Sequence, residues 1–271
     1  AGGFGCGRAP GRRSNLPGCG RRWNRPAGAV SGGEVLFTPN IPLAHVPLAE
    51  LFRSHMDVPV LLGNDADCAA VGEYFQGAGR GVRDFVVLTL GTGIGAGIIL
   101  DGRLRGGEAS SEAGHMVLRA GGEPCPCGRR GCWEQYAAAP ALIRRTRAAM
   151  KAHPESLLHR LAAEYGTVDG RTPFLAAEAG DETALALCRD YVEDLAEGTA
   201  NLINLLRPEA VAFGGGVAGA PETLLLEPLR HRVGELCYSR HGGRSARILR
   251  AELGNDAGII GAALLCRATS T

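Results

Sequence analysis

Phe85-Val-Val-Leu-Thr-Leu-Gly-Thr-Gly-Ile-Gly-Ala-Gly-Ile-Ile-Leu100 reads as two apolar runs of strand length joined by a glycine-rich turn, and its surroundings set the fold class. The first run, residues 85–90, is buried-strand sequence; the second, residues 96–100, ends at the turn signal Asp101-Gly102. Upstream, Val58-Pro-Val-Leu-Leu62 reads as another buried strand, Asn64-Asp65 as a polar elbow, and residues 66–76 as a helix stopped by Gly77. Downstream come a helix around residues 140–151, an irregular stretch to Gly180 and a long helix over 181–206 ended by Pro208. A short strand, Ala210-Val-Ala-Phe213, then runs into Gly214-Gly215-Gly216, followed by a helix over 222–236, a strand near 246–250 and a small-residue helix over 256–266. Strands alternating with helices predict an α/β layer fold.

The chain has 271 residues, enough for one large domain or two modest ones at roughly 100–200 residues each. Hydrophobic residues at 45% and charged residues at 21% are globular usage and argue against a disordered, collagenous or coiled-coil protein. The sequence contains no 18-residue apolar stretch and no apolar leader segment, so the expected location is the cytoplasm, with no membrane partner. A net charge of +1 gives no reason to expect nucleic acid. Residues 1–25 stand apart, with Arg8, Arg12, Arg13, Arg21, Arg22 and Arg25, seven glycines and no acid; such a segment is expected to be disordered or degenerate.

Four constellations carry chemistry. Asn64-Asp65 lies at the carboxyl end of an expected strand, where an aspartate can take a proton from a substrate hydroxyl; the same two residues are also good helix caps. Gly91-Thr92-Gly93-Ile94-Gly95 lets backbone N–H groups approach phosphate, with the Thr92 hydroxyl as an added donor, and equally suits a tight hairpin. Gly214-Gly215-Gly216 could flank a nucleotide or simply turn the chain. The fourth is the most specific: Glu112-Ala-Gly-His115 is followed by Cys125-Pro-Cys127-Gly-Arg-Arg-Gly-Cys132-Trp-Glu134. One imidazole and three thiolates make a closed tetrahedral set, and Gly128 and Gly131 allow a short loop to wrap one ion, for which zinc is the natural choice. The other six of the nine cysteines are scattered, as reduced thiols would be. Glu112 and Glu134 flank the metal set, and paired carboxylates suit a hydroxyl-rich ligand.

In this order, Asn64-Asp65-Ala66, Leu90-Gly-Thr-Gly-Ile-Gly95, Glu112-Ala-Gly-His115 with Cys-x-Cys-Gly-x-x-Gly-Cys-x-Glu, and Gly214-Gly-Gly-Val217 resemble the ROK family (repressors, open reading frames, kinases) from about Pro26 to the end. Residues 80–97 and 253–263 look particularly like the actinobacterial glucokinases of that family. The resemblance implies an actin-like (ribonuclease H-like) sugar kinase fold of two α/β domains, ATP with Mg²⁺ as phosphoryl donor, a structural Zn²⁺ and a homo-oligomer, dimer or tetramer. It implies Asp65 as general base and Asn64, Glu112, His115 and Glu134 as sugar ligands. His115, Cys125, Cys127 and Cys132 would hold zinc, with one His115 nitrogen on the metal and the other facing the sugar. Gly91, Thr92, Gly93 and Gly95 would hold phosphate, and Gly214, Gly215 and Gly216 would lie near adenosine.

Two departures accompany the resemblance. The family usually has an asparagine two residues after the base, where this chain has Asp67, expected to face away from the sugar. ROK kinases also begin with a strand and an Asp-x-Gly-Gly-Thr loop, which residues 1–25 do not contain, so the N-terminal domain is expected to be truncated. The domain expectation is therefore a degenerate segment over 1–25, a remnant of the small α/β domain over 26–80 with the helix of 256–271 packed on it, and a large α/β domain with the zinc loop over 81–255. The function expected is ATP-dependent phosphorylation of a hexose, glucose to glucose 6-phosphate. The alternatives are a catalytically impaired remnant and a sugar-sensing regulator; ROK regulators carry a helix-turn-helix, for which residues 1–25 are too short and glycine-rich.

Overall fold

Five strands form the main sheet of the computed structural model, which describes residues 29–37, 43–55, 58, 60–105, 110–243 and 245–269. The expected disorder of residues 1–25 lies outside them. A small antiparallel sheet comes first, from β1 (Ala29–Ser31), β2 (Glu34–Phe37) and β3 (Ala44–Val46), followed by α1 (Leu48–Arg53) and α2 (Asp65–Gln76). The main sheet begins with the hairpin β4 (Phe85–Leu90) and β5 (Ile94–Leu100), extended by β6 (Arg103–Leu104). A helical excursion follows: α3 (Glu134–Ala137), α4 (Ala139–Ala152), α5 (Leu158–Glu164), α6 (Thr172–Glu178) and α7 (Glu182–Leu206). The chain then returns as β7 (Ala210–Gly214), α8 (Leu226–Leu236), β8 (Arg247–Arg250) and α9 (Ala257–Thr269). β7 runs parallel to β4, and β8 parallel to β7.

β4 is buried on both faces, which is why it is apolar apart from the partly buried Thr89. Val86, Leu88 and Leu90 join the large core with α4, α6, α7 and α8, while Phe85 and Val87 face Ala70 of α2. α2 can lie this close to the sheet because Gly97 of β5 has no side chain; a Cβ there would strike the Ala66 carbonyl oxygen and the Ala70 methyl. On its other side α2 meets α9 backbone to backbone, and a Cβ on Gly261 would collide with the Cys68 carbonyl oxygen.

Glu73 of α2 is fully buried and closes the junction between α2 and the segment leading to α9. One carboxylate oxygen accepts from Leu253 N at 2.7 Å; the other accepts from Glu252 N at 3.0 Å and Ala78 N at 2.9 Å. Hydrogen bonds to charged groups contribute about 1.5–3 kcal/mol each, and orphaned buried donors cost more than the lost bond, so Glu73→Ala should destabilise the fold by about 3 kcal/mol. A denaturant melt checks this; a loss under about 0.5 kcal/mol would mean that water replaces the carboxylate without cost.

Two expectations are corrected here. The described residues of the stretch 58–62 form no strand: Val58 and Leu61 are 51% and 53% exposed. An apolar run becomes a strand only where a neighbour supplies ladder partners, and among the described residues this one pairs with none. The stretch before Gly180 is not irregular but contains α5 and α6, short helices whose Leu158, Leu161, Phe174 and Ala176 are held by burial against the core. Their lengths are too small for periodicity to announce them.

Candidate functional site

The two glycine loops meet at the carboxyl end of the parallel pair β4 and β7, where Thr89 lies opposite Gly214. Gly91 N donates to Gly93 O at 3.1 Å, so Gly91-Thr92-Gly93 is the hairpin turn itself, with Thr92 exposed at its tip. Gly215 has φ +85° and sits against the Leu90 carbonyl, a place and a conformation that exclude a side chain, and it carries Gly214–Gly216 next to that turn. Gly95 lies one residue into β5, against Ala66 of α2.

The first turn of α2 brings its polar residues to the same end of the sheet. Asn64 is buried at the N-cap and its Oδ1 accepts from Ala66 N at 2.7 Å, so capping is one of its tasks. Asp65 is exposed, with Oδ1 accepting from the same N–H at 2.9 Å, and its charge acts on Glu112. Asp67 is buried, and the charges of both Asp65 and Glu112 act on it. Burial pushes its carboxyl up to about 6, opposed by a hydrogen bond with the Ser110 side chain and reinforced by those two carboxylates.

His115, Cys125, Cys127 and Cys132 gather so that one ligand atom from each lies within 4.8 Å of all the others. The short antiparallel bridges Val117 with Cys132 and Pro124 with Arg130 fold residues 117–132 back on themselves, and Gly128 and Gly131, at φ +91° and +82°, make the bends. Cys127 Sγ is 3.6 Å from Cys132 Sγ, and Cys125 Sγ is 3.6 Å from His115 Nδ1. Two thiolates on one tetrahedral zinc, at Zn–S of about 2.3 Å, stand about 3.8 Å apart, so the donor set and spacing fit that ion. The thiols fit it chemically too. Burial pushes Cys125 and Cys132 up, whereas Cys127 is lowered because hydrogen bonds from the Arg129 backbone and the neighbouring thiols outweigh its burial; three thiolates in this space require a cation.

The loop is seated on α7. Trp133, fully buried, donates from Nε1 to the Asp194 carbonyl at 2.8 Å and lies flat on Gly198, where any Cβ would strike the indole. Asp194, itself buried, takes ion pairs from Arg119 of the loop and Arg145 of α4. This seat fixes Cys132 and Glu134, which flank Trp133 in the chain.

Glu134 Oε1 stands 3.6 Å from His115 Nδ1 and 3.3 Å from Cys125 Sγ, while Glu112 Oε2 stands 3.9 Å from His115 Nε2. Nδ1 therefore faces the thiol side and Nε2 the Glu112 side. Glu134 also borders the glycine turn, since a Cβ on Gly93 would come within 3.0 Å of its Oε2. Burial raises the Glu112 carboxyl, Glu134 and Asp65 push the same way and His115 opposes them. Glu112, His115, Glu134 and the turn at Gly93 thus border one another, and the charge of Asp65 reaches Glu112. A constellation of hydrogen-bond acceptors beside two glycine loops can bind a polyhydroxyl ligand and an anionic group together. Sequence reasoning missed Ser110, which acts on Asp67 43 residues earlier, and Asp194 and Gly198 of α7, whose partners Arg119, Trp133 and Arg145 lie far back in the chain.

A chain with this sheet, these loops and this metal loop belongs to the ROK family, whose family model matches residues 27–269. It adopts the α/β actin-like fold of ROK sugar kinases. It is 37% identical to the glucokinase of Streptomyces coelicolor over 238 residues, covering 86% of this chain and 75% of that protein. A crystal structure of a ROK family glucokinase from Streptomyces griseus in complex with glucose and AMPPNP is 39% identical, with a TM-score of 0.76 over 89% of this chain and 79% of that one. A ROK family transcriptional regulator, a homologue of the E. coli MLC protein, has a TM-score of 0.79 at 26% identity, covering 90% of this chain and 61% of that one. Among the described residues no helix is long and apolar enough to cross a membrane.

Proposed function

We propose that this chain is an ATP-dependent hexose kinase that converts glucose to glucose 6-phosphate. The observation that carries the reading is the grouping of the Glu112 and Glu134 carboxylates around His115 beside the Gly91–Gly93 turn, with the charge of Asp65 acting on Glu112. In this reading Asp65, exposed at the start of α2, accepts the proton of the sugar's primary hydroxyl as that oxygen attacks the γ-phosphorus of Mg²⁺-bound ATP and ADP leaves. Asn64 beside it, Glu112, Glu134 and His115 Nε2 take the remaining hydroxyls and hold the ring. The backbone amides of Gly91, Thr92, Gly93 and Gly95 serve the transferred phosphate, and Gly214, Gly215 and Gly216 border the nucleotide. His115, Cys125, Cys127 and Cys132 hold a structural zinc, which supplies the cross-link that keeps His115 and Glu134 in place.

The test is a coupled assay with glucose, ATP and Mg²⁺, run beside thermal melts with and without sugar. Glucose should raise the melting temperature, and Glu112→Ala or Glu134→Ala should weaken glucose binding about 100-fold, the loss of about 2–3 kcal/mol in hydrogen bonds to charged groups. Unchanged glucose binding in both variants would put the sugar elsewhere. The likeness to a transcriptional regulator favours one other reading, a sugar sensor that uses the same carboxylates without turnover. Stabilisation by glucose with no ADP formed would select it.

A further inference from the structure

We propose that Arg250 is a positioning residue of the nucleotide loop: its guanidinium fork fastens the far end of the segment that carries Gly214–Gly216 to the end of β8, and so holds that loop in the shape that meets ATP. The nucleotide in this proposal rests on the kinase reading; the fastening does not. Arg250 is the last residue of β8 and pairs in register with Phe213 of β7, one residue before the glycines. Its Nη1 donates to the Ala218 carbonyl, and its Nη2 donates to the Ala220 carbonyl at 2.9 Å and to Glu222 Oε2 at 3.1 Å. Ala218 and Ala220 lie in and just beyond a single 3₁₀ turn, Val217–Gly219, that follows Gly216 directly. Carbonyls at the end of such a turn lack partners within it, and a guanidinium supplies several donors in one plane. Glu222 is held from a second side as well: its Oε1 pairs with Arg230 Nη1 of α8 at 2.6 Å, and Arg230 Nε donates to the Ile248 carbonyl of β8 at 2.9 Å.

The loop brings little shape of its own. Gly215 stands at φ +85°, and a Cβ on Gly216 would meet nothing within 4 Å, so consecutive glycines leave the segment to be set from its ends. The near end is set by the sheet: Ala251 N donates to the Phe213 carbonyl at 2.9 Å, and a Cβ on Gly214 would stand 3.3 Å from the Ala251 methyl. The far end is set by Arg250. Both ends thus return to the same place, residues 250 and 251, while Gly215 presses the middle on the Leu90 carbonyl beside the Gly91–Gly93 turn. Without the fork the segment would sample more conformations, and a nucleotide would have to order it on binding, at a cost in affinity. Glu112, His115 and Glu134 make none of these contacts, so the cost falls on one substrate and spares the other.

Three chains decide it: wild type, Arg250→Ala and Arg250→Lys. Arg250→Ala should raise KM for ATP and Kd for ADP about tenfold, the loss of one hydrogen bond to a charged group, while kcat and KM for glucose stay within about twofold of wild type. Hydrogen exchange at the amides of residues 215–222 should quicken in the same variant, and the amides of β5 and of residues 115–134 should keep their wild-type rates. Lysine keeps the charge but offers one nitrogen in place of the fork, so Arg250→Lys should weaken ATP and ADP in the same direction by about threefold, and it decides the matter by the same readouts if the alanine variant does not fold. A wild-type KM for ATP in Arg250→Ala, equal rises in KM for ATP and for glucose, or unchanged exchange over residues 215–222 would overturn the proposal. Should wild type bind neither ATP nor ADP, the kinase reading fails, while hydrogen exchange still decides whether Arg250 holds the loop.

Discussion

Asp65→Asn is expected to lower the rate of glucose phosphorylation by about 10²–10⁴-fold, the range that a positioned general base contributes. The substitution is nearly isosteric, and an asparagine Oδ1 can still accept from Ala66 N as the aspartate does at 2.9 Å, so the helix start should survive and the melting temperature should hardly change. The side chain is exposed at the site rather than packed in the core, so no cavity confuses the result. What the amide cannot do is take the hydroxyl proton. The loss should therefore fall on kcat and leave the KM for glucose close to wild type, as for an interaction made only in the transition state. A variant that keeps more than about a tenth of the wild-type kcat would remove Asp65 from the role of base.

The second large effect concerns the metal loop. Purified protein should carry one zinc per chain, and chelation should lower its stability by about 4 kcal/mol, the linkage expected when free metal stands about 1,000-fold above its dissociation constant. Cys127→Ser should reproduce that loss, because serine is a poor ligand for this ion and Cys127 lies within 3.6 Å of Cys132. The glucose-induced rise in melting temperature should vanish with the metal, since His115 and Glu134 depend on the same loop for their positions. Because the thiols must ionise to bind, and Cys125 and Cys132 are held up by burial, metal affinity should fall as pH is lowered. Elemental analysis without zinc, together with a melt indifferent to chelator, would end this account.

The parts of the fold that were legible are those whose residues carry their own instructions. The β4–β5 hairpin shows two apolar runs around glycines, and α7 has its cap at Asp181, whose Oδ1 accepts from Ala184 N at 2.7 Å, and Pro208 beyond its end. The gathering of His115, Cys125, Cys127 and Cys132 was legible because ligands within a short loop need little help from the rest of the chain. What stayed hidden depends on distant partners. Residues 58–62 have strand composition but no ladder neighbour among the described residues, and α5 and α6 exist because the core covers them. Asp67 reads as a surface acid until Ser110 and Glu112 arrive from beyond the hairpin. Gly198 reads as a flaw in a long helix until Trp133 is laid across it.

The bare backbone contact at Gly97 has a mechanical consequence. With no side chain between them, α2 packs directly on the backbone of β5, and the turn bearing His115 meets the start of β5 in the same manner, through Gly114 against the Ile94 carbonyl. Asp65 and His115 are thus both carried by elements packed closely on the same strand. For a ligand entering there, groups held by such close packing leave less orientation entropy to lose at the moment of encounter.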